Sequence, residues 1–388
     1  MSEILERLDR DEAWRREEFP VAKERVFMAH AAVTALPRRV VDAMNAFNEQ
    51  AATGELDYTE VLIDDMDAVR ESAARLIGAK SKEIALLGPT SLGLSLVARG
   101  LDWKAGDEII CFREDYPANV YPWTDLERIG VKVIQLDPEM PGQITPELVA
   151  SVMTDRTRLV ALASCHFLTG YRIDIDAIGK LAHERGALFC LDAIQTTGAF
   201  PTTVEHVDFL SADAHKWMLG PMTAGIFYVA ELHFETLRPS LLGAWNVKCP
   251  QFIAQDAIDF EPGGRRYEPG VLNASGLHGL KAAIDLLMEV GIDRVGERLL
   301  WQKRQLVEGL KSQGYQIAGP EEGPNASGIT TITHEEHQAR IPALIARWQE
   351  HGIVVSPRRD REGRHYARLS PHFYNTAEEI ERVKGFLG

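Results

Sequence analysis

The sequence has few cysteines, and those it has stand far apart. The four in its 388 residues are Cys111, Cys165, Cys190 and Cys249. Because no C-x-x-C pair occurs, the spacing predicts neither a zinc site nor a redox-active disulfide, and we expect no bound metal. Three of the four lie in apolar, strand-like runs, where a buried free thiol is the usual finding. Reduced cysteines are typical of a cytoplasmic protein, which is the location we predict.

The sequence also lacks a long apolar run and an excess of basic residues. No stretch of about 18 apolar residues occurs, and the segment before Pro20 mixes charges throughout, so we expect neither a membrane span nor a secretion signal. The 57 acidic and 42 basic residues give a formal net charge of −15. This charge disfavours nucleic acid and anionic lipid as partners. A small anionic ligand stays compatible with it, because such a ligand needs only local cations and N–H groups.

Short apolar runs alternate with helical patterns between Asp107 and Val229. The runs read DEIICF, VKVIQLD, RLVALASC, ALFCLDA, VDFLSAD and AGIFYVA. Their length, and the Gly, Pro or Asp at their ends, predict buried parallel strands. Thr145 before Pro146 is typical of a helix start, and Gly186 of a helix end. The pattern predicts an α/β fold whose large domain is built on a mostly parallel sheet.

The pattern changes after Tyr267 and predicts a smaller α+β C-terminal domain. A helical stretch, two strand-like pieces and a final helix follow one another at residues 275–313, 329–333, 365–370 and 377–386. No low-complexity linker separates the parts, so we expect a continuous helix to join the two domains. The predicted units are residues 1–25, a helical segment packing on the small domain, 26–270, the large domain, and 271–388, the small domain.

One lysine has neighbours that a surface lysine seldom has. Lys216 lies in Ser-Ala-Asp-Ala-His-Lys-Trp-Met-Leu-Gly-Pro, residues 211–221, between two predicted strands. A lysine that forms a Schiff base must lose its proton well below its ordinary pKa of about 10.4, and apolar or aromatic surroundings favour that loss. A lysine in a loop is far more often solvated. This segment alone therefore does not establish a site.

An acidic residue ends one of the apolar runs. Asp192, in Leu-Phe-Cys-Leu-Asp-Ala-Ile-Gln, comes at the carboxyl end of a predicted strand, the edge at which open α/β sheets bind ligands. A buried carboxylate there is costly unless it faces a cation, such as a protonated pyridine nitrogen. Gln195 follows, where its amide would reach an oxygen on the same ring. Taken alone, Asp192 is more often a helix-capping residue, and Gln195 is an ordinary loop amide.

A third segment offers hydroxyl groups at the start of a helix. Gly88-Pro-Thr-Ser-Leu-Gly93 precedes a predicted helix that ends near Arg99, and it places Thr90 and Ser91 at the N-terminus. Such a terminus binds a single phosphate, although a simple N-cap with a turn gives the same pattern. The glycine patterns of dinucleotide and nucleotide-triphosphate loops are both absent from this segment. That absence disfavours a nicotinamide dehydrogenase.

Together these segments resemble a class V aminotransferase, from about Val26 to Tyr374. This group of pyridoxal 5′-phosphate (PLP) enzymes of fold type I also holds cysteine desulfurases, kynureninase and isopenicillin N epimerase-like proteins. The resemblance implies PLP as the cofactor and the PLP-dependent transferase fold. It implies these cofactor contacts: Lys216 as the Schiff-base lysine, Asp192 at the pyridine nitrogen, Gln195 at the phenolic oxygen, and Thr90, Ser91 and His215 at the phosphate.

Further residues are implied by the same resemblance. Tyr116 occupies the position at which many relatives stack a histidine on the cofactor ring, and an aromatic face can replace it there. Arg368 matches the arginine that binds the substrate carboxylate through a bidentate fork. Residues 265–273 resemble a loop that reaches the phosphate of a neighbouring subunit, with Val271 in place of the usual threonine and Asn273 as a further cofactor contact. The resemblance therefore implies a homodimer with active sites near the interface.

The sequence predicts the cofactor better than the reaction. We expect an enzyme acting on an α-amino acid, an aminotransferase or a related lyase, with a C–S lyase or an epimerase as alternatives. A non-catalytic PLP-binding regulator is the alternative of another class, but it has no need of a carboxylate clamp such as Arg368. His166 ends a predicted strand, where it would meet the substrate or the ring, or serve only the structure.

The loop of residues 354–363 bears on the choice of substrate. It contains no cysteine, and the resemblance implies that desulfurases carry their nucleophilic thiol there, so we expect cysteine desulfurase activity to be absent. It does contain Arg358, Arg359 and Arg361. These would recognise a second acidic group on the substrate, although an exposed charged loop is the more common arrangement.

Overall fold

The computed structural model describes residues 3–54 and 61–386. The helices are α1 (Glu3–Arg10), α2 (Glu12–Glu18), α3 (Arg38–Thr53), α4 (Val61–Ile77), α5 (Thr90–Gly100), α6 (Tyr121–Thr124), α7 (Pro146–Val152), α8 (Ile175–Glu184), α9 (Ala274–Val290), α10 (Ile292–Ser312), α11 (Arg340–Glu350) and α12 (Ala377–Lys384). The strands are β1 (Val26–Phe27), β2 (Ile84–Leu86), β3 (Glu108–Cys111), β4 (Lys132–Gln135), β5 (Thr157–Ala163), β6 (Leu188–Asp192), β7 (Phe209–Asp213), β8 (Gly225–Val229), β9 (Gln316–Ile317), β10 (Thr330–Thr333), β11 (Ile353–Val354), β12 (Ser356–Arg359) and β13 (His365–Leu369). None of the described helices is both long and apolar enough to span a membrane.

Seven strands form the large sheet, in the order β2-β8-β7-β6-β5-β3-β4. The pairs from β7 to β4 are parallel, and apolar clusters cover both faces of the sheet. The strands are accordingly apolar throughout rather than alternating. This mixed, mostly parallel α/β sheet confirms the predicted fold class.

The expectation of a parallel strand is wrong at β8, which runs antiparallel to β7 and β2. The connection from β7 to β8, residues 214–224, contains no α-helix. A parallel partner needs a crossover of a dozen or more residues, usually a helix, so this short connection can only return antiparallel. Strand β2, at the sheet edge beyond β8, was not among the predicted runs.

The helices begin and end where the sequence signals stand. Thr145 caps α7 by accepting a hydrogen bond from the backbone N–H of Leu148 at 3.2 Å, and Gly186 follows α8 with a positive φ of 75°. The predicted stretch 275–313 is two helices rather than one. Gly291, at φ 90°, ends α9 and precedes α10. A residue with a side chain rarely adopts that conformation, so the glycine sets the break.

The small sheet is antiparallel, with the strand order β12-β13-β10-β9. Its core cluster joins the sheet to α10, α11 and α12 through apolar side chains such as Leu306, Trp348 and Val383. Strand β12 lies in the segment that the sequence predicted as a loop, and β1 pairs with β11 beside the small sheet. The division into units 1–25, 26–270 and 271–388 stays a prediction. Residues 1–2, 55–60 and 387–388 of these units lie outside the described ranges.

Two features of the fold position the site. The carboxyl ends of β5, β6 and β7 lie at one edge of the large sheet, because these strands are parallel neighbours. Helix α5 packs close to β7 through Gly93, where an added Cβ would stand 2.4 Å from Oγ of Ser211. The glycine therefore lets the helix N-terminus approach the strand that leads to Lys216.

Candidate active site

A cavity of about 340 Å³ lies where the carboxyl edge of the large sheet meets β12 and β13 of the small sheet. Most of the residues singled out from the sequence line it: Thr90, Ser91, Tyr116, Asp192, Gln195, His215, Lys216 and Arg368. These residues come from five separate parts of the chain. The fold therefore brings the lysine, the strand-end carboxylate, the hydroxyls and the arginine to one place.

Lys216 is buried at the cavity wall, in the connection that follows β7. Its Nζ atom lies 5.3 Å from the centroid of the Tyr116 ring. Burial lowers the pKa of the amine to about 8; the Arg368 charge adds to this, and the carboxylate of Asp192 opposes it. At pH 7 roughly a tenth of the amine is then neutral, which is far more than for an ordinary lysine.

Asp192 ends β6 and is buried, with only 3% of its surface exposed. Its Oδ1 accepts a hydrogen bond from the backbone N–H of Ile194 at 3.1 Å. Burial raises the pKa of the carboxyl group, and the charge of Lys216 opposes that rise. A second cation beside this carboxylate would lower its pKa further and relieve the cost of burying it.

A second buried carboxylate, Asp115, was missed in the sequence. It accepts hydrogen bonds from Nδ2 of Asn119 at 2.9 Å and from the backbone N–H groups of Tyr116 at 2.7 Å and Ala163 at 3.2 Å. Burial and the charge of Asp192 raise its pKa to about 7. Asp115 therefore anchors the segment that presents Tyr116 to the cavity. In the sequence, only its position next to Tyr116 indicated that Asp115 belongs to the site.

One end of the cavity is arranged for an anion. Thr90 begins α5, and its Oγ1 accepts a hydrogen bond from the backbone N–H of Asp213 at 2.9 Å. The carboxylate of Asp213 holds Nδ1 of His215 at 2.8 Å. Ser91, next on the helix, also lines the cavity. Hydroxyls, an imidazole and a helix N-terminus at one point suit a phosphate group.

Gln195 is held from two sides. Its Nε2 donates to the carbonyl oxygen of Ala31 at 3.2 Å, and its Oε1 accepts from Nε1 of Trp217 at 2.8 Å. The side chain thus links the residue after Lys216 to the segment near the N-terminus. Both bonds fix the amide plane against the cavity wall.

Arg368 supplies the opposite end of the cavity from β13, with only 1% of its surface exposed. Its Nη1 donates to the carbonyl oxygen of Phe167. Its Nε and Nη2 atoms are buried and have no hydrogen-bond partner among the described residues. Burial and the charge of Arg358 lower the pKa of the guanidinium. Since unpaired buried donors are rare and costly, this group is suited to receive an anionic ligand.

His166 and Asn273, two of the site residues expected from the sequence, lie outside this cavity. His166 faces a neighbouring cavity, and both its ring nitrogens are engaged, one with Thr169 and one with the backbone of Glu114, each at 3.0 Å. This arrangement fits the structural alternative for His166, and a contact with the substrate or the ring stays a prediction. Asn273 caps α9 by accepting from the backbone N–H of Gly276 at 3.1 Å. Its contact with the cofactor stays a prediction.

Relatives with assigned names cover nearly the whole chain. A probable cysteine desulfurase of Methanothermobacter thermautotrophicus is 29% identical over 94% of both chains. An uncharacterized aminotransferase of Bacillus subtilis is 26% identical over 95% of both. The solved structure of a cysteine desulfurase from Thermococcus onnurineus superposes with a TM-score of 0.86 at 25% identity, covering 95% of each chain.

These relatives correct one expectation. The absence of a cysteine in residues 354–363 was taken to exclude cysteine desulfurase activity. That exclusion is wrong, because proteins named cysteine desulfurases match 94 to 95% of this chain. The absence of a thiol from one segment does not decide the activity. Residues 356–359 of that segment form strand β12, and the turn that follows leads into β13.

A family model gives the broadest match. The model described as aminotransferase class V matches residues 26–383. The resemblance expected from the lysine, aspartate and arginine segments is thereby confirmed, and with it PLP as the cofactor. The chain belongs to the class V aminotransferase family.

Proposed function

We propose that this protein is a PLP-dependent enzyme that cleaves a carbon–sulfur bond in an α-amino acid. One observation carries the proposal: a single cavity holds the buried amine of Lys216, the buried carboxylate of Asp192 and the guanidinium of Arg368, two of whose donors have no partner among the described residues. An amine to attach the cofactor, a carboxylate to charge its ring and a cation to bind the amino acid are the three groups that such chemistry requires.

The cavity has a suitable group for each part of the cofactor. Thr90, Ser91 and His215 would hold the phosphate, and Asp192 would face the pyridine nitrogen, whose positive charge offsets the cost of the buried carboxylate. Tyr116 would pack on the ring. When bound, the cofactor supplies an electron sink that weakens the bonds at the α-carbon of an amino acid.

Lys216 and Arg368 would act on the substrate itself. The two free donors of Arg368 would bind the α-carboxylate in a bidentate manner and fix the orientation of the α-carbon. Lys216, with a pKa lowered to about 8, would accept the α-proton at its Nζ atom and return it later. Close to neutral pH, such an amine serves both as base and as acid.

The names of the relatives support carbon–sulfur cleavage. Among the described residues, no cysteine lines the cavity, and an elimination that expels a sulfur leaving group needs only a base at the α-carbon. Transamination is the second candidate, because the Bacillus subtilis relative is named an aminotransferase and the same lysine and arginine serve that reaction. We also propose that the protein works as a homodimer, since Val271, in the loop expected to reach a second subunit, is 72% exposed. Its four cysteines are free, which supports a location in the cytoplasm.

A product panel tests the reaction. The purified yellow holoenzyme is incubated with L-cysteine, S-substituted cysteines and other amino acids, and pyruvate, alanine, sulfide and keto acids are quantified. Cleavage of the carbon–sulfur bond, with pyruvate or alanine formed in step with released sulfur, supports the proposal. Keto-acid formation from amino acids without sulfur, with loss of the visible absorbance of the bound cofactor, would establish transamination instead. A protein that takes up no PLP would refute both.

A further inference from the structure

Two arginines share one face of the small sheet. In the antiparallel ladder, Ser356 of β12 stands opposite Arg368 of β13. Directly opposite residues point to the same face, and so do residues two apart in one strand. Arg358 therefore lies diagonally across from Arg368 on the same face, and both line the cavity of about 340 Å³. Arg359, the next residue after Arg358, points to the other face and is exposed.

Neither of these two guanidinium groups has a carboxylate partner in the described part of the chain. In that part of the chain, every ion pair with an N–O distance of up to 4.0 Å joins residues other than Arg358 and Arg368. Arg358 donates only from Nη1 to the carbonyl oxygen of Pro357 at 2.9 Å. Among the described residues, the sole acidic one that lines the cavity is Asp192, at the opposite wall beside Lys216. The small-sheet wall is thus a pair of cations without counter-charge.

The cofactor does not supply this missing charge under the proposed function. Its phosphate would lie at the start of α5, with Thr90 and His215, and its ring nitrogen faces Asp192. The α-carboxylate of a substrate satisfies Arg368, which is the more deeply buried of the two arginines. Arg358, which is half-buried, is then left facing the part of the cavity that the substrate side chain would occupy.

We infer that the substrate is an α-amino acid whose side chain carries a second anionic group, a carboxylate or an oxidised sulfur acid, and that Arg358 binds it. This inference rests on the proposed function and specifies its substrate class. Arg358 is then a specificity-determining residue. It favours acidic side chains through a charge-assisted hydrogen bond and leaves uncharged ones without compensation for desolvating the arginine.

A pair of unreactive ligands isolates the second anion. Succinate has two carboxylates, whereas succinamate has one carboxylate and one amide of nearly the same shape. Binding of each to the holoenzyme is measured by titration calorimetry for the wild type, Arg358→Gln, Arg358→Lys and the control Arg359→Gln, which removes the same charge from the other face of β12. We expect the wild type to bind succinate about 10-fold or more tightly than succinamate. Arg358→Gln should lower this preference to about 2-fold or less, whereas Arg359→Gln should leave it unchanged.

Each outcome decides the inference. Equal affinities in the wild type overturn it, whether or not the variants fold, and so does a preference that survives in Arg358→Gln. Arg358→Lys, which keeps the charge, should retain a clear part of the preference. Holoenzyme that prefers succinate through Arg358 but transforms no sulfur amino acid would refute the proposed reaction and leave this inference standing. Carbon–sulfur cleavage by a holoenzyme that does not prefer succinate would support the proposed reaction and refute this inference.

Discussion

The two walls of the cavity differ in how far their polar groups are already satisfied. On the large-sheet wall, Thr90, His215 and Gln195 are tied to the protein by hydrogen bonds of 2.8 to 3.2 Å. On the small-sheet wall, Arg368 has two buried donors without a partner, and Arg358 has no carboxylate beside it in the described part of the chain. The polar groups of the large-sheet wall therefore have partners before any ligand binds, whereas the arginines of the small-sheet wall keep donors for a ligand.

The difference separates two tasks. A permanently held cofactor gains from a rigid, prebonded wall, because little has to be reorganised when it binds. A substrate that comes and goes can supply the missing charge in each cycle, so the unpaired arginines select an anion. We therefore expect substitutions on the large-sheet wall to act on the cofactor and substitutions on the small-sheet wall to act on the substrate.

The largest expected effect is at Lys216. Lys216→Ala should fold, bind PLP without a covalent bond, and lose about 10⁴-fold in turnover, because it removes both the anchor and the base. Borohydride reduction followed by peptide mass analysis should place the cofactor on Lys216 in the wild type. Lys303 is the internal control: burial also lowers its pKa to about 8, but its Nζ donates to the carbonyl oxygen of Ile329 at 2.6 Å away from the cavity. Cofactor found on Lys303 would refute the site.

The next effect tests the other wall. Arg368→Met should lower kcat/KM by about 10²- to 10³-fold, since the substrate carboxylate loses its buried partner. The cofactor spectrum should stay the same. Because an unpaired buried charge disappears, the free energy of unfolding of the ligand-free protein should rise by about 1 to 3 kcal/mol, as measured by urea denaturation. A loss of cofactor affinity as large as the loss of kcat/KM would break the proposed division between the walls.

The pH dependence of Lys216 sharpens the comparison on the cofactor side. Burial lowers its pKa in the folded protein to about 8, from an ordinary value of 10.5. Its neutral fraction therefore rises as the pH passes through 8 and is nearly complete before an exposed lysine begins to deprotonate. In cofactor-free protein, the rate at which an amine-specific reagent modifies Lys216 should therefore reach half its maximum near pH 8. At neutral pH the neutral fraction exceeds that of an exposed lysine by about 10². A midpoint above pH 10 would contradict the burial of this amine.

The smallest effect concerns the anion end. Thr90→Val removes the Oγ1 that accepts the N–H of Asp213, while the volume of the side chain is kept. Affinity for PLP should fall about 10-fold, measured by equilibrium titration of the cofactor-free protein. Ser95→Ala is the matched control, because its hydroxyl bonds within α5 to the carbonyl of Ser91 at 2.7 Å and does not line the cavity. Equal losses in both variants would show a general effect on the helix.

Strand ends were the part of the site that the sequence could predict. Asp192 follows an apolar run and Lys216 lies in a short connection after another, so the topology of a parallel sheet brings them together. Arg358 was singled out with Arg359 and Arg361 as a group that would bind a second acidic group. Their segment, which contains Pro357, was expected to be a loop, so the face on which each side chain lies was not predicted. Proline lacks the N–H of a central strand but is tolerated at a sheet edge, which is where β12 lies. The burial of Asp115 depends on packing from distant segments, which no local pattern contains.

The position of β12 at the end of the small sheet has a consequence for how such an enzyme changes over time. Arg358 is bonded into one ladder only, with β13, so a new side chain there disturbs few neighbours. Lys216 and Asp192, by contrast, are packed inside the protein. Single replacements at the edge strand β12 can therefore change the substrate preference during evolution while Lys216 and Asp192 stay the same. The same edge strand is the natural place for engineered substitutions that alter the substrate.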